Sequence, residues 1–243
     1  MPRKISTGQC ALCGGAFNKS VMTRHLTKCQ SVHPAKASPK DRPRKSLRLV
    51  VEGARLPEYW LHLEMPADAT LRDLDGFLRG IWLECCGHLS AFTIAGVQYE
   101  LNTGQVDEMW TMFGGRSAPR SMSVKLAEVL PPGVKFLHEY DFGTTTELTG
   151  KVVAEQEAVF SKKERVKILA RNLPPLIPCS VCGAPSTQLC MNCIYDGTGC
   201  LCDAHSEDHA CGDEMFLPVV NSPRAGECGY TGPYNPSAFF NPQ

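Results

Sequence analysis

The residues best suited to chemistry lie between Cys179 and Cys211, a run holding seven cysteines and two histidines. They fall into pairs: Cys179-x2-Cys182, Cys190-x2-Cys193, Cys202-x2-His205 and His209-x-Cys211. Two intervening residues let the backbone turn in a tight knuckle, so both side chains reach one ion, and Gly183 after the first pair suits such a turn. Eight ligands supply two tetrahedral zinc sites. A second group stands at the other end of the chain, where Cys10-x2-Cys13 is followed after eleven residues by His25-x3-Cys29. The expected metal content is therefore three Zn2+ ions. Every one of these sites has four protein ligands and no open position, which is the structural rather than the catalytic arrangement.

The elements that position the first group look like an ordinary zinc finger, residues 1–30, with Cys in the last ligand position. Phe17, four after Cys13, and Met22, three before His25, stand where such fingers keep their small core. Asn18 or Ser20 caps a helix that carries His25 and Cys29 on one face. About thirty residues bury too little to fold alone, and zinc adds roughly 10–16 kcal/mol of apparent binding energy. Residues 1–48 hold eleven Lys/Arg and one acid, Asp41, although the whole chain has net charge zero. That bias suits phosphates. Lys19, Arg24 and Lys28 on the finger are the expected nucleic-acid contacts; contact with a protein, or a purely structural finger, are the other readings. Residues 31–46, rich in proline and Lys/Arg, read as a basic, disordered tether. Here Arg42, Arg44 and Lys45 neutralise phosphates of DNA or RNA, or merely keep a linker solvated.

Residues 47–172 alternate as half-buried strands around one clear helix. LRLVV and YWLHLEM are strands; Thr70 and Asp73 form a capping box before Leu71, Leu74, Leu78, Ile81 and Trp82 at helical spacing. Two strands follow, turning at Ala95-Gly96, then a long loop over 103–120 and a short helix ended by Pro131-Pro132-Gly133. A hairpin about Gly143-Thr144 and a last strand complete the order. The class is α+β: a central mixed sheet with one long and one short helix, flanked by small zinc-stabilised modules. TLRDLDGFLRGIW, HLSAF, GVQYE, LAEVL and above all KFLHEYDFG resemble the plasmid Ri open-reading-frame-three family, also described as TnpR-type insertion-sequence passenger proteins. The resemblance spans residues 47–155, implies a compact α+β domain and a plasmid association, and brings no settled activity. The chain departs from the family's YDFGD continuation, running from Gly143 into Thr144-Thr145-Thr146-Glu147.

The apolar spacer LPPLIP opens a last module, residues 173–243. Its ligand order resembles the cross-braced B-box and MYND modules. By that resemblance Cys179, Cys182, Cys202 and His205 share one ion, and Cys190, Cys193, His209 and Cys211 the other; two sequential fingers are the alternative. Cys200 competes with Cys202, which keeps the knuckle spacing to His205. Cys228 reads as a buried or free thiol, and Cys85-Cys86 as packing at a helix end. From residue 179 onward there are seven acids and one base, Arg224, so this end suits a protein partner, as the resemblance also implies. The Pro/Gly-rich tail wraps onto the fold or stays mobile.

Among His62, His88, His138, Glu139, Asp141 and Glu147, none forms a nucleophile with its base. A polar patch at Asp141 and Glu147 is where an enzymatic alternative, acting on nucleic acid or protein, would sit. The cysteine pattern fits zinc in a reducing compartment better than a disulfide framework, the N-terminus lacks a secretory apolar run, and no stretch approaches a bilayer span. The expectation is a cytoplasmic, non-enzymatic, zinc-binding adaptor, touching nucleic acid through residues 1–48 and protein through the rest; a subunit of a larger complex is the other possibility.

Overall fold

A computed structural model describes residues 6–33, 41–101 and 118–233. Most of the loop expected over 103–120 lies outside the described residues. The fold is α+β and is dominated by a ten-stranded sheet, order β2-β1-β10-β4-β3-β9-β8-β5-β6-β7. Its strands are β1 (Thr7–Cys10), β2 (Ala16–Asn18), β3 (Arg42–Gly53), β4 (Trp60–Pro66), β5 (Ser90–Ile94), β6 (Val97–Glu100), β7 (Arg120–Ser121), β8 (Lys135–Tyr140), β9 (Thr146–Phe160) and β10 (Lys167–Asn172). Neighbours are antiparallel except β6 and β7, which run parallel.

Strand β4 explains how the layers form. All seven of its residues are buried, so both faces of the sheet are covered there. Successive side chains point to opposite faces. Leu61, Leu63 and Met65 join the main core with Leu47, Leu49, Leu74, Leu78 and Trp82. Trp60 joins a second, smaller core with Met22, Leu26, Cys29, Leu169 and Ala170. The first face is covered by helix α2 (Leu71–Leu78), which begins at the expected capping box: Thr70 and Asp73 bond reciprocally. The helix then widens into one π-helical turn, Arg79–Leu83, a device often found at functional sites. A short helix α3 (Leu126–Val129) follows the loop.

The second face is covered by the finger, and here the structure corrects the reading of a separate module on a tether. Strand β1 pairs with β10, Gly8 opposite Asn172 and Cys10 opposite Ala170, so the finger is the edge of the main sheet. Gly8 has a reason to be glycine: a Cβ there would lie 2.4 Å from both the Arg171 carbonyl oxygen and the Trp60 ring. Helix α1 (Lys19–Val32) is capped by Asn18, whose side chain accepts from the Val21 N–H at 3.0 Å. Beneath it, Arg48 donates to Gln30 and Thr27 at 3.0 Å each, and Glu64 accepts from Gln156 at 2.5 Å and from Gln30 at 3.3 Å. This polar seam ties the helix to β3, β4 and β9.

The tether is corrected too. β3 begins at Arg42, and Arg42–Lys45 pair with Phe160–Glu157 of β9. Strand β4 reaches only Ser46, so Pro43 sits on an overhang where its missing N–H breaks no ladder on that side. The hydrophilic composition that suggested disorder reflects an exposed strand end.

The last module has its own three-stranded sheet, order β12-β11-β13, from β11 (Gln188–Cys190), β12 (Cys200–Leu201) and β13 (Phe216–Pro218), with one short helix, α4 (Asp203–Glu207). Few apolar side chains are buried there; Leu189, Leu201 and Leu217 are the main ones. The chain beyond β13 returns to the central fold. Asn172 and Asn221 exchange hydrogen bonds at 2.7 and 3.0 Å, and Ser222 donates to the Trp82 carbonyl at 2.6 Å. Among the described residues, no helix is long and apolar enough to cross a membrane.

Candidate metal centres

Among the described residues, four groups of side chains bring their ligand atoms within 4.8 Å of one another, and each has three cysteines and one histidine. The first is Cys10, Cys13, His25 and Cys29. β1 ends at Cys10, and the chain turns back so that Cys10 N–H donates to the Gly15 carbonyl at 2.9 Å and Gly14 N–H to the Cys10 carbonyl at 2.9 Å. Helix α1 presents His25 and Cys29 to that knuckle. Cys10 and Cys29 stand 3.8 Å apart, and Cys13 lies 3.4 Å from His25 Nε2. Phe17 stacks on the His25 ring at 4.0 Å, which fixes its orientation.

The last module holds the next two groups, interleaved: Cys179, Cys182, Cys202 and His205, then Cys190, Cys193, His209 and Cys211. The pairs alternate between groups along the chain, as in a cross-brace. In the first, Cys182 and Cys202 are 3.8 Å apart and His205 Nδ1 lies 3.7 Å from Cys179 and 3.2 Å from Cys202. In the second, Cys193 and Cys211 are 3.6 Å apart. Cys200, the alternative to Cys202, belongs to neither group.

The spacings fit a tetrahedral ion. Bonds of ~2.3 Å to sulfur and ~2.05 Å to nitrogen give tetrahedral edges of about 3.8 Å between sulfurs and about 3.5 Å between sulfur and nitrogen. A disulfide would need about 2.05 Å, and all thirteen cysteines are free. In the last module one thiol of each knuckle is drawn down, while its neighbouring thiols push its partner, Cys182 or Cys193, up. The backbone N–H of Cys182, with that of Val181, holds the Cys179 thiol down to about 6. At Cys190 burial pushes upward, and the Cys193 N–H and the His209 side chain outweigh it, leaving about 7. Deprotonated sulfur is the form a metal binds. The donor set therefore fits zinc or another thiolate-preferring metal.

The fourth group, Cys85, Cys86, His88 and Cys228, is not among the three sites expected from the sequence. Cys228 is exposed rather than buried, and of the adjacent pair Cys86 is exposed while Cys85 is half-buried and packs against the main core as expected. No knuckle spacing marks it: two ligands are adjacent and the fourth lies 142 residues beyond Cys86. The legible signal was only the density of CC-x-H after the helix.

The residues expected to meet nucleic acid are scattered. Lys19 pairs with Glu52, Arg44 with Asp68, and Lys45 with Glu155 at 2.8 Å. Arg42 is exposed and donates to the Asp41 carbonyl at 3.1 Å. Arg24 and Lys28, four apart on α1, are both exposed on its outer side. The expected polar patch is divided: Glu147 bonds Arg55 at 3.2 Å, whereas Asp141 is buried against Arg224 at 2.7 Å and accepts from the Gly143 N–H at 3.1 Å. Burial raises the Asp141 carboxyl and the Arg224 hydrogen bond, then Gly143, bring it below its ordinary value. His138 is fully buried and meets Asp75 at 2.8 Å, joining β8 to α2 inside the core.

Comparison with known proteins adds little. No family model matches the chain, and no curated protein does. Among solved structures the chain is similar to a protein of unknown function, MM3350, from Methanosarcina mazei Go1. The identity is 16% and the TM-score 0.36, over 52% of this chain and 67% of that one.

Proposed function

We propose that this chain is a zinc-clamped, non-enzymatic adaptor whose last module docks a protein partner. The observation that carries this reading is the apolar surface of a module that has almost no apolar core. Leu176 is 83% exposed, Val181 65% and Tyr195 68%. Ser180 donates to the Gly197 carbonyl at 3.2 Å, which sets the knuckle bearing Val181 beside the loop bearing Tyr195. Asp196, Asp203, Glu207 and Asp208 add negative charge to the same module. Ions held by four protein ligands favour a structural role, and free thiols suit a reducing compartment such as the cytoplasm. The family resemblance, taken as a proposal, supplies a fold and a plasmid setting but no reaction.

A second contact, with DNA or RNA, is supported by Arg24 and Lys28 on the outer side of α1, whereas Lys19, Arg42, Arg44 and Lys45 already meet acids or backbone. The test separates the two surfaces. Leu176→Asp with Val181→Asp should abolish capture of the protein partner while metal content stays at the wild-type value. Arg24→Glu with Lys28→Glu should remove any mobility shift of nucleic acid at low salt and leave protein capture intact. Equal capture by the first double variant and the wild type would overturn the docking surface; no shift at any salt would remove the nucleic-acid half.

A further inference from the structure

We infer that Cys85, Cys86, His88 and Cys228 bind a fourth zinc ion, which staples the returning tail to the central fold. The four donors have the separations a tetrahedral ion needs. Cys85 and Cys86 sulfurs lie 3.7 Å apart, Cys86 and Cys228 4.0 Å. His88 Nε2 lies 3.0 Å from Cys86 and 3.2 Å from Cys228. Three thiolates and an imidazole repeat the donor set of the other three groups, a set that selects zinc-like ions over hard cations.

Two distant segments are shaped to build this group. The π-helical turn Arg79–Leu83 ends the helix and releases the chain at Glu84, so that adjacent cysteines both reach one place. Gly87, with φ +83°, then bends the backbone so that His88 returns to them. From the other side, Gly226, Cys228 and Gly229 all have positive φ, 87°, 44° and 69°. A cysteine in this region is strained, and the conformation aims Cys228 at Cys86 and His88. Asp141, φ 66°, is the other unusual residue beside the group, its carboxylate 3.5 Å from His88 Nε2.

The surroundings offset part of the charge. A divalent ion with three thiolates carries a net charge of −1, and Asp141 adds another. Arg224, fully buried, donates to Asp141 at 2.7 Å and to Cys85 Sγ at 3.6 Å and lies over the Tyr140 ring at 4.9 Å. It also donates to the Thr144 carbonyl at 3.0 Å. A buried guanidinium beside a negatively charged metal–thiolate group is the kind of outer partner that holds ligands in place. Glu84 accepts from the Tyr140 hydroxyl at 3.1 Å and the Gly87 N–H at 2.6 Å, fixing the loop that carries the two cysteines. This group is also the most accessible of the four: Cys86 and Cys228 are exposed and none of its ligands is buried, whereas each other group has at least one buried cysteine.

The inference stands apart from the adaptor reading and needs no partner to test. Zinc per chain is counted by native mass spectrometry on the full-length wild type and on Cys228→Ser. Four ions in the wild type and three in the variant are expected; three in the wild type, or an unchanged count in Cys228→Ser, overturns the proposal. Alkylation of the zinc-loaded wild type, mapped by peptide mass, covers a variant that fails to fold. Cys86 and Cys228 should stay unmodified until a chelator is added and then react before the other liganded cysteines. Modification of exposed Cys228 without chelator would equally overturn the site.

Discussion

The finger and the last module use the same ligands in different settings. The finger is an edge of the main sheet. Its helix lays Met22, Leu26 and Cys29 on Trp60, Leu169 and Ala170, and the Arg48–Glu64 seam fastens its other side. The last module has a three-stranded sheet of short strands and buries little beyond Leu189, Leu201 and Leu217. Burial grows with size, so a small unit with so few buried side chains would depend on the metal ions its ligand groups can hold. Metal would thus be one support among several at the first end and the main support at the other.

The largest expected effect breaks the weaker-cored region. Cys190→Ser removes a fully buried ligand and forfeits metal binding worth on the order of 10 kcal/mol. The module around β11 should lose its protection from proteolysis while the ten-stranded sheet keeps its circular dichroism. Next, Trp60→Ala removes the side chain on which the finger rests. Truncating a buried tryptophan costs about 3–5 kcal/mol. Because Trp60 also donates to Ser6 at 2.6 Å, the finger should become the first segment cleaved in limited proteolysis, with the last module unaffected.

A smaller effect depends on pH. His62 is fully buried and held at about 3 by burial first, then by Arg48 and Lys19. Its folded value is depressed below the ordinary ~6.5, so the folded protein keeps the neutral form. The unfolded chain binds the extra proton between those values, and stability falls as pH drops below about 6.5 toward 3. Between pH 7 and 5 this should remove about 1–2 kcal/mol. Chemical denaturation of His62→Phe should show that much less acid loss than the wild type. The smallest is Asn18→Ala, which removes the cap of α1 for about 1 kcal/mol, seen as a modest fall in the midpoint of finger unfolding.

How much of this was legible follows from what is local. The capping box at Thr70 and Asp73 and the turn at Ala95-Gly96 with φ 48° and 80° could be read because period and turn chemistry lie within a few residues; β4 was legible as a strand, but not as half-buried, since all seven of its residues are buried. The three knuckle-based groups were legible for the same reason. The docking of the finger was not, because strand pairing between β1 and β10 joins Gly8 to Asn172, and nothing in either segment names the other. Trp60, His62 and Glu64 did carry a hint: a strand with large side chains on both faces requires cover on both sides. The fourth group was hidden for a related reason, since Cys86 and Cys228 meet only once the tail has returned. Composition records charge and not partners, which is why the basic stretch did not show that Lys19, Arg44 and Lys45 face Glu52, Asp68 and Glu155.

The contrast between a finger held by packing and a module held by metal can be tested in one measurement: amide hydrogen exchange of the whole chain before and after exhaustive chelation. The account predicts that Leu189 and Cys190 in β11 lose their protection entirely, while Gly8 and Gln9 in β1, paired with β10, keep most of theirs. Equal loss at both ends, or protection retained in β11 without metal, would contradict it.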